Sequence, residues 1–510
     1  MSIINLEDEL YKHFKLKEFK LGQEEIIETI LTEKDVLGVL PTGSGKSLCY
    51  QLPAKILSGL TIVISPLTSL MIDQVKELKA IKYRGVAAFN GMIDWKERVK
   101  ILNNISSYKL LYISPELFQS NEVMSVLKSI NISLIVIDEA HCISQWGYDF
   151  RPDYLRIVDQ MAPLGNPPIL GLTATASETV RLDIKKALNK PHMTEIIYPI
   201  DRENIIMNVE MTNNETDKRN QMTDLLKKHD VPTLIYFSSR KKCEEVSAYL
   251  SEHLNREVAY YHGGLENSDR LMIQQQFMNN QLNIICCTAA FGMGINKKDI
   301  RLIIHYHLPL QIESFIQEIG RAGRDGEESV SILYYSESDI HLPLNIIENQ
   351  FLLQNDLQNA ITKLSKMDKI LKNETEMENY LLINEIQWEN LKYQLENHDM
   401  IREDVLSKNK HKWVNFIQTM IEQNESQKML KQNDLYRLVE WIKTDKCLRV
   451  ELYKNYQIIL KKPLTYCCSS CDFEISKWTT DNYPLKDVSD ETWLDKLANV
   501  LQVGEYYETS

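Results

Sequence analysis

Short apolar runs rich in β-branched residues alternate with longer helical patterns between residues 35 and 335. This alternation is typical of βαβ units that bury a parallel sheet. A polar stretch at residues 211–218 divides the runs into two sets of five, so we predict two α/β domains with a boundary at residues 205–215. The predicted strands are Val36–Leu40, Thr61–Ser65, Leu110–Ser114, Leu134–Ile137, Ile169–Thr173, Thr233–Phe237, Val258–Tyr261, Asn283–Thr288, Leu302–Tyr306 and Val330–Tyr335.

Helical periodicity replaces the strand pattern beyond residue 340. Residues 347–371 predict one helix, and two helices separated by a turn at Ile383-Asn384 follow within residues 376–404. This pair is compatible with a helix-turn-helix or winged-helix element, although such hairpins more often serve as scaffold. We divide the chain into five predicted parts: an α/β domain at 1–207, a second at 208–342, a helical region at 343–440, a cysteine module at 441–475 and an acidic tail at 476–510.

Composition places the chain among ordinary globular proteins. Its 510 residues are 44% hydrophobic and 25% charged, which excludes a disordered, collagen-like or disulfide-scaffold protein. The net charge of −13 argues against nucleic acid, because binding to phosphates is led by positive charge. We find no secretory signal and no apolar run of about 18 residues, the length of a membrane span. With an odd count of nine cysteines, the sequence predicts a cytoplasmic protein.

The first predicted strand leads into Pro-Thr-Gly-Ser-Gly-Lys-Ser at residues 41–47 and then into an amphipathic helix. The two glycines let the backbone aim N–H groups at phosphate oxygens, and the helix adds its positive dipole end. Lys46 can reach the β and γ phosphates, and the Ser47 hydroxyl can bind Mg²⁺. The sequence therefore predicts a nucleotide site formed by Thr42, Gly43, Ser44, Gly45, Lys46 and Ser47.

Two carboxylates, Asp138 and Glu139, follow another predicted strand. We expect Asp138 to hold Mg²⁺ through water and Glu139 to polarise the attacking water. A hydrolase of this kind also needs positive charge at the γ-phosphate, and Arg321 and Arg324 lie in the second domain. Their spacing of three predicts that both share one helical face. On that face they would act as arginine fingers when the domains close.

These motifs, in this order, resemble those of superfamily 2 helicases, and the detail resembles the RecQ family. The resemblance covers about residues 10 to 335. The most discriminating stretch is 140–154 (A-H-C-I-S-Q-W-G-Y-D-F-R-P-D-Y), which is similar to the aromatic-rich loop that marks RecQ proteins. Other matching stretches are 19–24 for motif 0, 65–74 for Ia, 112–116 for Ib, 172–176 for III, 236–240 for IV and 288–297 for V.

The resemblance implies two tandem RecA-like domains and an ATP- and Mg²⁺-dependent DNA helicase of 3′→5′ polarity that acts in repair or recombination. It implies nucleotide contacts by Lys20, Gln23 and Gln317, with Gln23 at the adenine edge. Aromatic faces in the loop would stack bases, each worth about 1 to 3 kcal/mol. The implied DNA contacts are Ser65, Gln145, Trp146, Phe150, Arg151 and Asn296.

Four cysteines lie together near the C-terminus, at positions 447, 467, 468 and 471. RecQ proteins often carry a zinc module with one cysteine on a helix and three more at close spacing, so the resemblance implies Zn²⁺ bound by Cys447, Cys467, Cys468 and Cys471. Adjacent cysteines are awkward ligands for one tetrahedral site, so either both bind or an acid completes the site. The alternative is a set of free buried thiols. With 39 residues after the last cysteine, a winged element would have to precede the module.

The expected partners are single-stranded DNA and forked or tailed duplexes, with repair or single-strand-binding proteins as candidates. We expect a monomer that does not contact membranes and that associates with the nucleoid if the source is bacterial. Two alternatives stay open: an RNA helicase, and a DNA-stimulated ATPase that remodels complexes without separating strands. The acidic charge does not exclude DNA, because the last 39 residues contribute −6 of the −13. A motor that grips DNA through backbone amides, hydroxyls and stacking faces needs no basic pI.

Overall fold

The computed structural model describes residues 5–144, 152–291, 297–371, 373–402, 404–456 and 460–480. Within these residues the chain forms two compact units, and each contains one large parallel sheet. The first unit comprises the described parts of Met1–Arg202, Leu308–Gly320 and Glu337–Lys462. The second comprises the described parts of Glu203–His307, Arg321–Ser336 and Pro463–Ser510.

Seven parallel strands form the sheet of the first unit, in the order β3-β4-β2-β5-β6-β1-β7. The inner strands are almost wholly buried, as expected for a parallel sheet that is covered on both faces. In chain order the strands are β1 (Val36–Val39), β2 (Leu60–Ile64), β3 (Val86–Phe89), β4 (Leu110–Ile113), β5 (Ile132–Ile137), β6 (Ile169–Thr173) and β7 (Thr194–Ile197).

Six parallel strands form the sheet of the second unit, in the order β10-β11-β9-β12-β13-β8. The strands are β8 (Ile205–Met211), β9 (Thr233–Tyr236), β10 (Val258–Tyr261), β11 (Ile284–Cys287), β12 (Leu302–His305) and β13 (Ser329–Tyr335). The predicted fold class, two RecA-like parallel-sheet domains followed by a helical region, is confirmed.

All ten predicted strands are present, with ends that differ by no more than two residues. The sequence analysis missed β3, β7 and β8, and each of these lies at the edge of its sheet. An edge strand has a neighbour on one side only, so it needs a weaker apolar run than a central strand. In β8 the polar residues Asn208 and Glu210 interrupt the pattern. This strand lies where the domain boundary was predicted.

The helices pack on the sheets and form the region beyond residue 340. They are α1 (Leu6–Phe14), α2 (Gln23–Leu31), α3 (Leu48–Ile56), α4 (Thr68–Ala80), α5 (Trp95–Asn103), α6 (Pro115–Phe118), α7 (Asn121–Leu127), α8 (Pro152–Leu155), α9 (Glu178–Ala187), α10 (Glu215–Lys228), α11 (Arg240–His253), α12 (Asn267–Met278), α13 (Ile312–Ile319), α14 (His341–Asn349), α15 (Gln354–Leu364), α16 (Glu374–Leu381), α17 (Glu385–Asn397), α18 (Lys410–Ile442) and α19 (Leu448–Tyr453). Within the described part of the chain, none of these helices has the length and apolarity that a membrane span requires.

The helical region beyond residue 340 differs from its prediction at one point. The single helix predicted over 347–371 is wrong, because the chain leaves the helical conformation after Asn349 and re-enters it at Gln354. The predicted turn at Ile383-Asn384 is confirmed, and Asn384 begins α17 with a capping box. Two short antiparallel strands, β14 (Ile401–Arg402) and β15 (Val405–Leu406), follow α17 and share its core. A helix pair followed by a β-hairpin therefore occupies the place predicted for a winged element.

Residues beyond the last cysteine belong to the core of the second unit. Phe473 and Trp478 are buried among the side chains of β9, β11, β12 and β13. The Trp478 ring stacks on His229, with ring centroids 4.5 Å apart, and the His229 ring hydrogen-bonds the Thr480 hydroxyl. The prediction of an acidic tail from residue 476 is therefore wrong for residues 476–480. The rest of the predicted tail lies outside the described residues.

We predict that Trp478→Ala lowers the free energy of unfolding of the second unit by about 3 to 5 kcal/mol, because it leaves a large cavity in a packed core. Trp95→Ala is the matched control, since Trp95 is 66% exposed and Trp478 is 1% exposed. Chemical denaturation followed by circular dichroism measures both variants. Equal stability of the two variants would contradict the packing of residues 476–480.

Candidate active site

The two predicted phosphate-chemistry motifs lie at one edge of the first sheet. Residues 41–47 follow β1, and the acids at 138 and 139 follow β5. The strand order places β6 between β1 and β5. Because the carboxyl ends of parallel strands point to the same edge, the loop and the acids share the crevice where such folds bind ligands.

The phosphate loop, residues 41–47, takes the turn conformation that its sequence predicts. Gly43 and Gly45 have φ values of 78° and 74°, in the left-handed region that favours glycine. The helix α3 begins directly after Ser47, which is its N-cap. The loop backbone therefore leads into a helix N-terminus, which is the arrangement that binds phosphate. Lys46 is half-buried within this loop.

Two residues of the motif 0 resemblance contact the backbone of the phosphate loop. The Gln23 side-chain amide donates hydrogen bonds to the carbonyl oxygens of Ser44 and Gly45, both at 2.9 Å. The Lys20 ammonium donates to the Gly43 carbonyl oxygen at 3.1 Å. Both side chains therefore brace the loop from the same side. The adenine contact of Gln23 and the nucleotide contact of Lys20 stay predictions.

The Asp138 carboxylate is buried at the end of β5. Burial and the neighbouring Glu139 carboxylate raise the pKa of this carboxyl group to about 7, although Lys46 and the Ser65 hydroxyl act in the opposite direction. The Glu139 backbone N–H also donates to Asp138 Oδ1 at 3.1 Å. Two neighbouring carboxylates in a buried place need positive charge to remain ionised together.

The donor set at this edge fits Mg²⁺. Magnesium prefers hard oxygen ligands and is usually held by one or two carboxylates together with substrate phosphates. Asp138 supplies a buried carboxylate whose pKa is raised by burial and by the neighbouring Glu139 charge. The Ser47 hydroxyl, at the end of the phosphate loop, is the second oxygen ligand that the sequence predicts.

Glu139 is joined to the end of β6 through His141, a contact that the sequence analysis missed. Glu139 has a φ of 49°, which is uncommon for a residue other than glycine. Its carboxylate Oε2 lies 3.4 Å from His141 Nδ1, and the same nitrogen hydrogen-bonds Thr173 Oγ1 at 2.9 Å. The Thr173 hydroxyl donates its one hydrogen to the Thr175 carbonyl oxygen, so His141 Nδ1 carries a proton. That N–H is donated to the Thr173 hydroxyl, and the Glu139 carboxylate lies beside the same ring.

The prediction that Arg321 and Arg324 share a helical face is wrong. The helix α13 ends at Ile319, and residues 320–325 form a series of turns. Gly323, with a φ of 53°, redirects the chain between the two arginines. The Asn204 side chain donates to the Gly323 carbonyl oxygen at 2.8 Å and holds this turn. Arg321 is buried, and Arg324 is half-buried.

Few of the residues predicted to contact DNA can be placed. Gln145, Trp146, Phe150, Arg151 and Asn296 lie outside the described residues. Ser65 is 1% exposed, and its hydroxyl acts on the buried Asp138 carboxyl group. The DNA contact of Ser65 stays a prediction. Gln317, predicted to contact the nucleotide, is buried on α13.

Three of the C-terminal cysteines, Cys467, Cys468 and Cys471, belong to the second unit, and their sulfur atoms lie within 4.8 Å of one another. The sulfur atoms of Cys468 and Cys471 are 3.5 Å apart. Thiolates at this spacing are compatible with a tetrahedral metal site, and the identity of the fourth ligand stays a prediction. Cys447 is the N-cap of α19 in the first unit, whereas the sequence predicted that it lies on a helix.

Comparison with known proteins gives the same class as the fold and the site. The DEAD/DEAH box helicase family matches residues 20–182, and the helicase conserved C-terminal domain matches residues 217–326. A solved structure, Mycobacterium smegmatis helicase Lhr bound to ssDNA and AMP-PNP, has a TM-score of 0.55 at 19% identity and covers 68% of this chain and 49% of its own. At this identity the likeness shows the fold alone. The parallel sheets, the phosphate loop and the buried acids thus define a two-domain helicase motor.

The sequence relatives define the family. "Probable ATP-dependent DNA helicase RecS" of Bacillus subtilis is 38% identical over 508 residues, which is 98% of this chain and 99% of the relative. "ATP-dependent DNA helicase RecQ" of Haemophilus influenzae is 39% identical over 330 residues, or 64% of this chain and 52% of the relative. The chain belongs to the RecQ family of helicases.

We predict that His141→Ala lowers kcat for ATP hydrolysis about tenfold, because a positioned acid–base group contributes roughly 10² to 10⁴ and His141 orients Glu139. His192→Ala is the control, since His192 is exposed on the surface of the same unit. A steady-state ATPase assay compares the variants. A kcat of His141→Ala equal to that of the control would show that the Glu139 carboxylate does not depend on this contact.

Proposed function

We propose that this protein is an ATP- and Mg²⁺-dependent DNA helicase that moves 3′→5′ along single-stranded DNA and displaces the opposite strand in repair or recombination. The observation that carries the proposal is the crevice in which the phosphate loop and a buried acid pair lie at one sheet edge. The same proposal includes a cytoplasmic monomer that acts on forked or tailed duplexes, with repair or single-strand-binding proteins as candidate partners.

Each residue at the crevice has a separate role in the proposed reaction. Lys46 and the backbone N–H groups of residues 43–47 bind the phosphates. Ser47 and Asp138 would hold Mg²⁺, which would supply positive charge for the reaction. Glu139 accepts a proton from the attacking water, and the His141 ring lies beside that carboxylate, with Nδ1 3.4 Å from Oε2. Arg321 and Arg324 supply positive charge to the γ-phosphate as negative charge develops. Asp138 stays ionised only while positive charge offsets Glu139.

The contact between Glu139 and motif III supports coupling between ATP and DNA. His141 connects the water-activating carboxylate to Thr173. The stretch 172–176 resembles the motif that couples the ATP site to DNA in RecQ helicases. A shift of this stretch when DNA binds would move the Thr173 hydroxyl and, through His141, the Glu139 carboxylate. The two relatives are both named as ATP-dependent DNA helicases, which favours DNA over RNA as the nucleic acid.

We predict that single-stranded DNA stimulates ATP hydrolysis and that ATP drives displacement of a duplex with a 3′ tail but not of one with a 5′ tail. Forked, 3′-tailed and 5′-tailed DNA duplexes and the matched RNA duplexes measure this directly. Lys46→Ala is the inactive control, because it removes the charge at the β and γ phosphates without disturbing a buried core.

Each other outcome identifies an alternative. ATP hydrolysis that ignores DNA would contradict the helicase proposal. Preferential unwinding of RNA duplexes would favour an RNA helicase. DNA-stimulated hydrolysis without displacement of any duplex would favour an ATPase that remodels nucleoprotein complexes, and displacement of the 5′-tailed duplex alone would contradict the polarity.

We propose that Cys447, Cys467, Cys468 and Cys471 bind one Zn²⁺. The support is the spacing of the sulfur atoms of Cys467, Cys468 and Cys471, since a tetrahedral site with Zn–S distances of about 2.3 Å needs its thiolates that close together. Three of the cysteines lie in the 467–471 segment, whose backbone pairs with β8 through Met207. Metal binding there would fasten the segment that leads to Phe473 and Trp478 in the core of the second unit.

We predict about one zinc per chain in the purified protein and loss of that zinc in Cys471→Ser, because three thiolates bind a structural zinc less well than four. Cys49→Ser is the control, since Cys49 is a buried cysteine far along the chain from the cluster. Metal analysis and a chelator-release assay measure the content. Absence of zinc from protein prepared under reducing conditions would leave the cluster as free thiols.

A further inference from the structure

Arg449 is a buried arginine that the active site described above does not use. It is the second residue of α19 and is 2% exposed. Its guanidinium forms an ion pair with Asp201, whose side chain is also buried, and donates to the Arg202 carbonyl oxygen at 3.0 Å. A buried guanidinium is costly to desolvate, so its acceptors must be held in place. Arg449 therefore fixes the backbone at residues 201 and 202.

Arg202 extends this constraint to the phosphate loop. Its guanidinium Nη1 lies 3.4 Å from the Thr42 carbonyl oxygen and 3.4 Å from the Gly320 carbonyl oxygen. The Thr42 hydroxyl donates to the same Gly320 oxygen at 2.9 Å. Thr42 belongs to the phosphate loop, and Gly320 directly precedes Arg321 in the chain. All the residues of this chain of contacts, from Arg449 to Gly320, belong to the first unit.

The contact between Thr42 and Gly320 leaves no room for a side chain at position 320. A Cβ atom there would lie 2.2 Å from Thr42 Oγ1. The Thr42 side chain can approach the backbone this closely because residue 320 is glycine. The spacing between the phosphate loop and the peptide that precedes Arg321 is therefore set by contact of the Thr42 side chain with the Gly320 backbone, and Arg202 contacts the carbonyl oxygens of both residues.

The same helical region also holds the beginning of α13, whose C-cap is Gly320. The Phe315 ring packs on the Trp441 ring of α18, with centroids 4.9 Å apart. The Trp441 indole N–H donates to the carbonyl oxygen of Leu448, the residue before Arg449, at 2.8 Å. The Tyr456 hydroxyl hydrogen-bonds the Glu313 carboxylate near the start of α13. Both ends of α13 thus depend on the segment around α19.

We propose that Arg449 is a positioning residue for ATP hydrolysis, because through Asp201 and Arg202 it holds the Thr42 and Gly320 carbonyl groups in register. The proposal rests on the proposed function, in which Lys46 binds phosphate and Arg321 supplies charge to the γ-phosphate. Arg449 touches neither nucleotide nor phosphate. It acts by fixing the distance between the loop that holds the phosphates and the peptide unit that leads to Arg321.

The expected effect is on kcat rather than on KM. Arg449→Gln leaves the phosphate loop, Lys46 and Gln23 intact, so binding of ATP in the ground state is retained. The position of the peptide before Arg321 matters when charge develops at the γ-phosphate, and a displacement of about 1 Å can cost about 10²-fold. We therefore expect kcat to fall at least tenfold while KM for ATP changes by less than about threefold. Arg202→Gln should give the same pattern.

A double-mutant cycle tests whether Arg449 acts through Arg202. If it does, Arg202→Gln/Arg449→Gln loses no more kcat than the more impaired single variant, because both changes break one path. Losses that multiply would overturn the proposal, and so would a kcat of Arg449→Gln within twofold of the unaltered protein. Rates are expressed per nucleotide site, counted by binding of a fluorescent ADP analogue. A loss of sites with unchanged kcat per site would show a purely structural role and would also overturn it.

A second variant distinguishes a loss of activity from a loss of folded protein. Arg449→Gln alone leaves the Asp201 carboxylate buried without its ion-pair partner, which can cost about 3 to 5 kcal/mol. Asp201→Asn/Arg449→Gln removes both charges and still loses the contact with the Arg202 carbonyl, so it should show the same fall in kcat. Arg402→Gln is the matched control, because Arg402 is 77% exposed and pairs with the exposed Asp399 in the same unit. Its kcat should stay within twofold of the unaltered protein.

The failure of this inference is distinguishable from failure of the proposed function. If the unaltered protein shows no ATP hydrolysis that depends on Lys46, the proposed function fails before any Arg449 variant is compared. If Arg321→Ala retains full kcat, the assigned role of Arg321 fails, and the positioning role of Arg449 fails with it. If Lys46→Ala and Arg321→Ala are both inactive and Arg449→Gln is fully active per site, only the positioning role is overturned.

Discussion

A buried pair of neighbouring carboxylates at the end of β5 sets the condition that the rest of the first unit meets. Burial and the Glu139 charge raise the pKa of Asp138 to about 7, so the ionised pair is costly unless positive charge lies close by. The strand order meets this requirement, because it brings the end of β1 to the same edge of the sheet. Lys46 lies in the loop that follows β1. A bound cation would offset this negative charge and so stabilise the ionised pair. The sheet topology therefore determines which charged groups meet at the site.

Two sets of contacts then join this edge to distant parts of the chain. On one side, His141 links Glu139 to Thr173 at the end of β6. On the other side, Arg202 links the Thr42 carbonyl to Gly320. The first set bears on the group that activates water, and the second on the spacing of the phosphate loop. Both consist of polar contacts of 2.9 to 3.4 Å between buried and half-buried groups.

The parts that could be predicted from the sequence are those whose signal is local. The phosphate loop and the acid pair each follow a buried strand directly, so the neighbouring sequence is enough to predict where each lies in the fold. Arg321 and Arg324 were placed on a helix because a spacing of three suits both a helix and a turn. The glycines at 320 and 323 are the signal that separates the two cases. Arg449 could not be found, because its partners lie 248 and 247 residues away along the chain and a buried arginine has no local signature.

The charges of α17 bear on how the predicted helix-turn-helix element is used. The helix carries Glu385, Glu389 and Glu396 against the single base Lys392, whereas a helix that enters a DNA groove needs positive or neutral side chains toward the phosphates. Glu396 forms an ion pair with Arg156, which directly follows α8. One side of α17 is thus engaged by the segment that leads out of the aromatic-rich stretch. This docking and the acidic charge favour a scaffold role, in which α17 supports the motor and contributes to the net charge of −13 without lying in the DNA path.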